Sequence, residues 1–281
     1  LQEDDMRKIL VTGANKGIGL AIVQAILKDH DDTFVFLGSR DAERGKKACE
    51  TIGSDRVQLV ALDVASDDSV AAAAEQVKAA VNGESLYGIV NNAGIGLGSD
   101  ALETVLNVNV RGIKRVSDSF LSLLDKSSGR MVNITSASGP MYVAKCDQDK
   151  QRFFVDPKVE WGAIDALMTA AVKAGDEADA YGLSKACANS LTMCLAQNHP
   201  SLRINACTPG FIETDLTRPY AESSGKSPAD LGMKSPEEGT RSAMRLLFEE
   251  LDGNGWYYGS DAVRSPLDRY RAPGDPPFAG D

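Results

Sequence analysis

Histidine is nearly missing from this chain: His30 and His199 stand alone among 281 residues, far apart in sequence. A histidine-ligated metal needs more than this, and both residues read as helix-end positions. The five cysteines (Cys49, Cys146, Cys187, Cys194 and Cys207) are scattered, odd in number and without metal-ligand spacing. They are expected to be reduced thiols of a cytoplasmic protein, with no metal centre. No apolar run reaches the roughly 18 residues of a membrane span, and no secretory signal is visible. Positive charge is also short, with 30 Lys and Arg against 40 Asp and Glu, a net charge of −10. That balance argues against nucleic acid, whose phosphates require a basic face.

What is present is an ordinary globular composition, 43% apolar and 25% charged, long enough for one large α/β domain with insertions. Leu1–Asp5, polar and ahead of Met6, read as a remnant or an unstructured arm. From Lys8 onward short apolar runs alternate with helical patterns. Strands are expected at Ile9–Val11, Thr33–Leu37, Val57–Leu62, Leu86–Val90 and Arg130–Ile134. Between them lie helices at 17–28, at 41–51 with Asp41 as N-cap, at 66–81 capped by Ser66, and at 101–124. Such alternation reads as βα units on a parallel sheet. Ligands of these sheets sit at the carboxyl ends of the strands, where Gly13, Arg40, Asp63, Asn91 and Ser136 all fall. The pattern breaks at 137–180, expected to be an insertion over the open end of the sheet with a helix near Trp161–Val172. A helix over 181–197, a strand at Arg203–Cys207 and a Ser/Gly/Pro-rich loop or lid over 211–234 follow. Ser235-Pro236-Glu237-Glu238 is a capping box for a helix to about Glu250, and Trp256–Gly259 reads as the last strand. The proline-rich tail over 265–281 cannot be helical and is expected to be a strap or disordered.

The first strand runs into Val11-Thr12-Gly13-Ala14-Asn15-Lys16-Gly17-Ile18-Gly19. Gly13 permits positive φ, and Gly17 and Gly19 would let a pyrophosphate approach the backbone at a helix N-terminus, where N–H groups are unpaired. The spacing is G-x-x-x-G-x-G, not the usual G-x-G-x-x-G. A tight βα turn without a ligand fits the same residues.

Tyr181 and Lys185 stand at i and i+4, on one helical face. A free phenol near pKa 10 is too weak an acid for work at neutrality, and a neighbouring ammonium lowers it. Three units of lowering require about 4 kcal/mol, which one lysine and a nicotinamide cation together could supply. A surface Tyr–Lys pair is the other reading.

The ordered set Thr12-Gly-x-x-x-Gly-Ile-Gly, Asn91-Asn-Ala-Gly94, Asn109-Val-x-Gly112, Ser136, Tyr181-x-x-x-Lys185 and Pro209-Gly210 resembles the short-chain dehydrogenase/reductase family over about 8–261. The resemblance implies one Rossmann-like, doubly wound domain with about seven parallel strands. Tyr181 would be the proton donor and Ser136 would hold the substrate carbonyl. Lys185 would bind the nicotinamide ribose and lower the tyrosine pKa, and Asn109 would hold a relay water. Ser138 competes with Ser136 but reads better as a loop residue. Cofactor positions would be Gly13, Asn15, Lys16, Gly17, Ile18, Gly19, Arg40, Arg44, Asp63, Val64, Asn91, Ala93, Gly94, Tyr181, Lys185, Pro209, Gly210, Phe211, Ile212 and Thr214.

Members that bind NAD carry an acid at the end of strand two. Here Ser39 and Arg40 stand there, with Lys16 and Arg44 nearby. Three cations suit a 2′-phosphate, hence NADPH. Asp41 remains the rival acid if the strand ends later. Asn15-Lys16, Ser39-Arg40-Asp41-x-x-Arg44-Gly45, Lys234-Ser-Pro-Glu-Glu-Gly239 and the long insertion are similar to monomeric NADPH-dependent carbonyl reductases. A monomer acting on a small-molecule ketone or aldehyde is therefore expected. An NAD-dependent alcohol dehydrogenase and a non-catalytic nucleotide sensor are the alternatives. Tyr142, Cys146, Trp161 and Phe211 are pocket candidates, although Trp161 suits an anchor for the insertion helix. Cys187 and Cys194 share a helical face and are expected in the core, and Asp147–Asp149 in solvent.

Overall fold

A computed structural model describes residues 6–96, 100–175 and 178–280, so the Leu1–Asp5 arm lies outside the described residues. In chain order the first half runs β1 (Arg7–Val11), α1 (Gly17–Asp29), β2 (Thr33–Ser39), α2 (Ala42–Ile52), β3 (Val57–Ala61), α3 (Asp67–Val81) and β4 (Leu86–Asn91). Then come α4 (Leu102–Leu106), α5 (Gly112–Phe120), β5 (Arg130–Ile134), α6 (Ser138–Val143), α7 (Gln148–Val155) and α8 (Trp161–Ala174). The chain finishes with α9 (Ala180–Asn198), β6 (Arg203–Cys207), α10 (Arg218–Ser224), α11 (Arg241–Phe248), β7 (Tyr257–Tyr258) and β8 (Arg264–Ser265).

The sheet order is β3-β2-β1-β4-β5-β6-β7-β8, a doubly wound Rossmann-like arrangement. The order reverses beside β1, which pairs with β2 on one side and β4 on the other, and there the carboxyl ends leave a crevice. Alternation along each strand feeds two cores. Ile9 and Val11 pack on the side of α1 and α11 with Ile22, Ile26 and Leu246. Leu10 and Ile89 face α3, α5 and α9 with Val77, Val116 and Leu191. The strands read as continuous apolar runs because both faces are covered.

Local signals in the sequence decide several boundaries. Asp41 caps α2 by accepting from Arg44 N at 3.0 Å, and Ser66 caps α3 by accepting from Ser69 N at 3.2 Å. His30 and His199 are the C-caps of α1 and α9. The Ser235–Glu238 capping box closes in both directions, at 3.0 and 3.3 Å. Its first turn is a 3₁₀ segment, Glu238–Thr240, so α11 begins later than the sequence suggests.

Five expectations are corrected. Among the described residues the sheet has eight strands, one more than the expected about seven, and β8 is antiparallel to β7; two-residue strands carry no periodicity to read. The helix expected over 101–124 is interrupted by a π-turn at Asn107–Arg111 and ends in a 3₁₀ turn at Leu121–Leu123. The described part of the insertion packs on α9, where a cover over the open end of the sheet is expected from the sequence. Phe154, Val159, Ile164 and Met168 bury against Leu183, Cys187 and Leu191 of α9, so α6, α7 and α8 cover that helix. Within the expected 211–234 loop, α10 forms, and Ile212 pairs with Lys234 to close its base. Asp147 is the N-cap of α7, accepting from Lys150 N at 2.9 Å, not merely a solvated charge. Among the described residues no helix is long and apolar enough to cross a membrane.

The proline-rich tail is an ordered strap. Arg271 forks onto Asp261 at 2.5 and 2.6 Å, with side chains only 6% and 13% exposed. Gly274 N donates to the same carboxylate, and Arg264 lies 3.6 Å from the Trp256 ring centroid. Removing one partner of a buried pair leaves the other charge uncompensated. Arg271→Ala should therefore cost about 3 kcal/mol in urea unfolding, and the double variant Arg271→Met with Asp261→Leu should recover most of it.

Candidate active site

The glycine turn is braced from β4. Thr12 Oγ1 accepts from Asn92 N and Ala93 N at 3.0 and 3.1 Å, while Asn92 Nδ2 donates to the carbonyls of Thr12 and Gly13 at 3.0 Å. Gly13 has φ +61°, and a Cβ there would meet Ala93 Cα at 2.9 Å. The three glycines have different tasks. Gly17, at φ +56°, faces the cleft, where its nearest neighbour would be Thr214 Cγ2 at 3.5 Å. Gly19 instead presses on the turn itself, since a Cβ would strike Asn92 Nδ2 at 2.4 Å and the Gly13 carbonyl at 2.5 Å. It lets the turn pack, which leaves Gly17 as the glycine that faces the cleft. The N-cap of α1, Lys16, is extended and makes no side-chain cap. Asp, Ser, Asp and Asp cap α2, α3, α7 and α9. The first N–H groups of α1 have no side-chain acceptor and open on the cleft through Gly17 and Ile18.

Ser136, Tyr181, Lys185 and Asn109 converge at the ends of β4 and β5. The Ser136 side chain lies beside the Tyr181 phenol and acts to lower its pKa. The Ser136 hydroxyl also accepts from Ser138 N at 3.1 Å and donates to Ser138 Oγ at 3.2 Å, which makes Ser138 a positioning neighbour. Lys185, 5% exposed, donates from Nζ to the Ile134 carbonyl at 3.2 Å and lies 5.4 Å from the centroid of the Tyr181 ring. Asn109 sits in the π-turn, a distortion that often marks functional positions. Its Nδ2 donates to the Ile95 carbonyl at 2.9 Å and to Ser184 Oγ at 3.0 Å, and its Oδ1 accepts from Ile95 N at 2.9 Å. Gly94 leaves the space between: a Cβ there would meet Asn109 Oδ1 at 3.3 Å and Lys185 Nζ at 3.5 Å.

Without the nicotinamide cation that the expectation also invokes, burial outweighs any acidification of Tyr181 by Lys185. Desolvation pushes the phenol up to about 12, against the lowering effect of the Ser136 side chain, and burial pushes Lys185 down to about 8. The ammonium lies over the ring face, and the same dry surroundings that hold the phenol neutral weaken the cation that was to ionise it.

A cleft of about 660 Å³ runs from the glycine turn past the end of β3 to Gly96. Of the expected cofactor residues, Gly13, Asn15, Lys16, Gly17, Ile18, Arg40, Asp63, Val64, Ala93, Gly94 and Thr214 line it. Others are turned elsewhere. Asn91 Nδ2 donates to Asn133 Oδ1 at 2.8 Å, continuing through Asn133 Nδ2 to Thr192 at 2.8 Å, so it ties β4 to β5 and α9. Arg44 pairs with Asp41 at 3.2 Å. Ile212 is buried beneath the loop, and Phe211 is exposed against Tyr220, with ring centroids 6.0 Å apart. Gly210, at φ +96°, packs on Ser260 and forms the bend with Pro209. The uncapped helix end, the bare Gly17 and the cations Lys16 and Arg40 fit a dinucleotide.

Residues 7–147 match the family model described as short chain dehydrogenase. The (+)-neomenthol dehydrogenase of Arabidopsis thaliana is 31% identical across 88% of this chain and 93% of its own length. This chain belongs to the short-chain dehydrogenase family. Within the family, the carbonyl reductase (NADPH) 3 of Rattus norvegicus is 29% identical over 86% of this dehydrogenase and 91% of that protein. Salutaridine reductase from Papaver somniferum shares the fold with a TM-score of 0.74 at 24% identity, covering 90% of this chain and 99% of that one. The NADPH-bound carbonyl reductase from chicken fatty liver does so with a TM-score of 0.71 at 22% identity, covering 92% and 98%.

Thr12, Asn92 and Ser184 of this dehydrogenase escaped the sequence reading, as did Asp215 and Arg218, which line the cleft. Thr12 and Asn92 sat inside quoted motifs, where a polar residue beside a glycine turn was the available signal. Ser184 lay within the Tyr–Lys motif, accepting from Asn109 and donating to the Tyr181 carbonyl at 2.8 Å. A lysine with a folded pKa of about 8 against 10.5 binds fewer protons folded than unfolded, so its cost is present below pH 8 and fades as pH rises toward 10.5. Lys185→Met should then stabilise the nucleotide-free protein at pH 7 by up to about 3 kcal/mol. Urea melts at pH 7 and pH 10 should find that gain shrinking at the higher pH.

Proposed function

We propose that this enzyme reduces a ketone or aldehyde with NADPH. One observation carries the reading: the Tyr181 phenol beside Ser136, with the buried Lys185 beneath its ring, next to a glycine-lined cleft. A bound NADPH supplies the hydride. Lys16, Gly17, Arg40 and Thr214, which line the cleft, would hold its phosphates, and Lys185 its nicotinamide ribose. The Ser136 hydroxyl donates to the substrate oxygen and orients it. As charge builds on that oxygen, Tyr181 gives up its proton. A phenol held near 12 is fully protonated at neutral pH, the form a reductase needs before the reaction. Lys185 stabilises the phenolate left behind, and Asn109, fixed to Ile95 and Ser184, would hold a relay water near Lys185.

The choice of NADPH over NAD rests on charge at the end of β2. Asp41 is committed to capping α2, while the Ser39 hydroxyl is buried and bonded to the Asp41 carbonyl at 2.7 Å. No acid from this stretch is therefore free for a ribose 2′-hydroxyl, and Arg40 faces the cleft. A monomer is the assembly we favour, because Gly182 to Ala196 of α9 are buried within one chain and offer no partner a face. The five free thiols suit a reducing cytoplasm.

Tyr181→Phe should lower kcat by about 10²–10⁴-fold with nucleotide binding retained, read as loss of NADPH absorbance against a carbonyl panel. A Tyr181→Phe protein with wild-type turnover would sink the mechanism, and a wild type inert on the whole panel would favour the nucleotide sensor. Arg40→Asp should move the ratio of kcat/KM values toward NADH by about tenfold or more, while an unmoved ratio would return Asp41 to consideration.

A further inference from the structure

At the mouth of the cleft, Asp215 holds two cations that come from different parts of the chain. Its Oδ2 accepts from Lys16 Nζ at 2.7 Å, and its Oδ1 from Arg218 Nη1 at 2.7 Å. Lys16 belongs to the glycine turn, while Asp215 and Arg218 belong to the segment that leaves β6. The carboxyl is drawn below its usual range by Lys16 first, against the cost of burial, and then by Arg218 and Arg44. Lys16, Arg40, Asp215 and Arg218 all line the cleft. The Lys16, Asp215 and Arg218 side chains are 55%, 54% and 51% exposed, so the pairs are weak and exchangeable. A carboxylate among these cations lies where an anionic group of a ligand would be drawn. A phosphate carries close to two charges and three acceptor oxygens, and it outbids one carboxylate for the same donors.

We propose that Asp215 is an internal counter-ion competing with the nucleotide's 2′-phosphate for Lys16, and that Arg218 is a further cation of that phosphate's site. The inference rests on the NADPH reading. Asp215 keeps the cations paired between ligands and weakens retention of the spent nucleotide. Because the repulsion acts on the extra phosphate, it bears harder on NADP+ than on NAD+.

Titration calorimetry of the whole protein with NADP+, NAD+ and adenosine 2′-monophosphate tests this without turnover. Asp215→Asn should bind NADP+ and adenosine 2′-monophosphate about fivefold tighter, with NAD+ within about twofold of wild type. Asp215→Ser should behave likewise, and unchanged melting temperatures would verify that both fold. Arg218→Ala should weaken the two 2′-phosphates about fivefold and leave NAD+ within about twofold. An unchanged or weaker NADP+ affinity in Asp215→Asn overturns the inference. So does an equal gain for NAD+, which would move the competition to the pyrophosphate. A wild type that binds NAD+ more tightly than NADP+ defeats the NADPH reading first. Preference for NADP+ without a gain in either Asp215 variant defeats the inference alone.

Discussion

One ammonium in a dry place organises this fold. Lys185 is 5% exposed, and its Nζ has the Ile134 carbonyl, the Tyr181 ring and the bare backbone of Gly94 around it. Burying a cation is costly unless its surroundings are polar and held in position. The π-turn at Asn107–Arg111 carries Asn109 into that region. The Asn109 amide then fastens both sides of the gap, to Ile95 after β4 and to Ser184 on α9. A regular helix would give Asn109 a different hydrogen-bonding frame. The phenol and the ammonium share the same desolvation, which raises one pKa and lowers the other. The proton on Tyr181 and the weakened charge of Lys185 are thus two sides of a single exclusion of water.

The nucleotide end of the cleft works by the opposite rule. Lys16, Arg40, Asp215 and Arg218 meet at a solvated mouth, where ion pairs are cheap to exchange. Rigidity there comes from neutral hydrogen bonds. Thr12 and Asn92 close the glycine turn onto the end of β4, and Gly19 allows it to pack without a Cβ. A fixed backbone cradle beside exchangeable side-chain charges suits a ligand that must enter and leave.

The periphery completes the frame. The α6–α8 segment supplies Phe154, Ile164 and Met168 to the core around α9, so the helix bearing Tyr181 and Lys185 is buried on every side. The strap from β8 onward is anchored by the Arg271–Asp261 fork beside Gly259 and Ser260, and Ser260 is the residue on which the Gly210 bend rests. Both additions therefore stiffen elements that carry the cleft, one from behind α9 and one beneath the bend after β6.

Much of this was readable in the chain because its signals are local. Apolar runs with both faces covered mark β1 to β6, Asp41 and Ser66 mark helix starts, and a glycine at a βα turn marks a bend, each within a few residues. The family resemblance drawn from ordered motifs also holds, and it named Ser136, Tyr181, Lys185 and Asn109, which the fold brings together. Tertiary structure alone decided the rest. Whether a phenol beside a lysine is acidic depends on how much water reaches both. Lys16 meets Asp215, a residue 199 positions away, only because β1 and β6 end on the same side of the sheet. The insertion's choice of α9, the pairing of β8 and the π-turn depend on which surfaces meet. Short-range sequence fixes backbone preference and side-chain period, whereas desolvation and charge pairing depend on distances between segments that are remote along the chain.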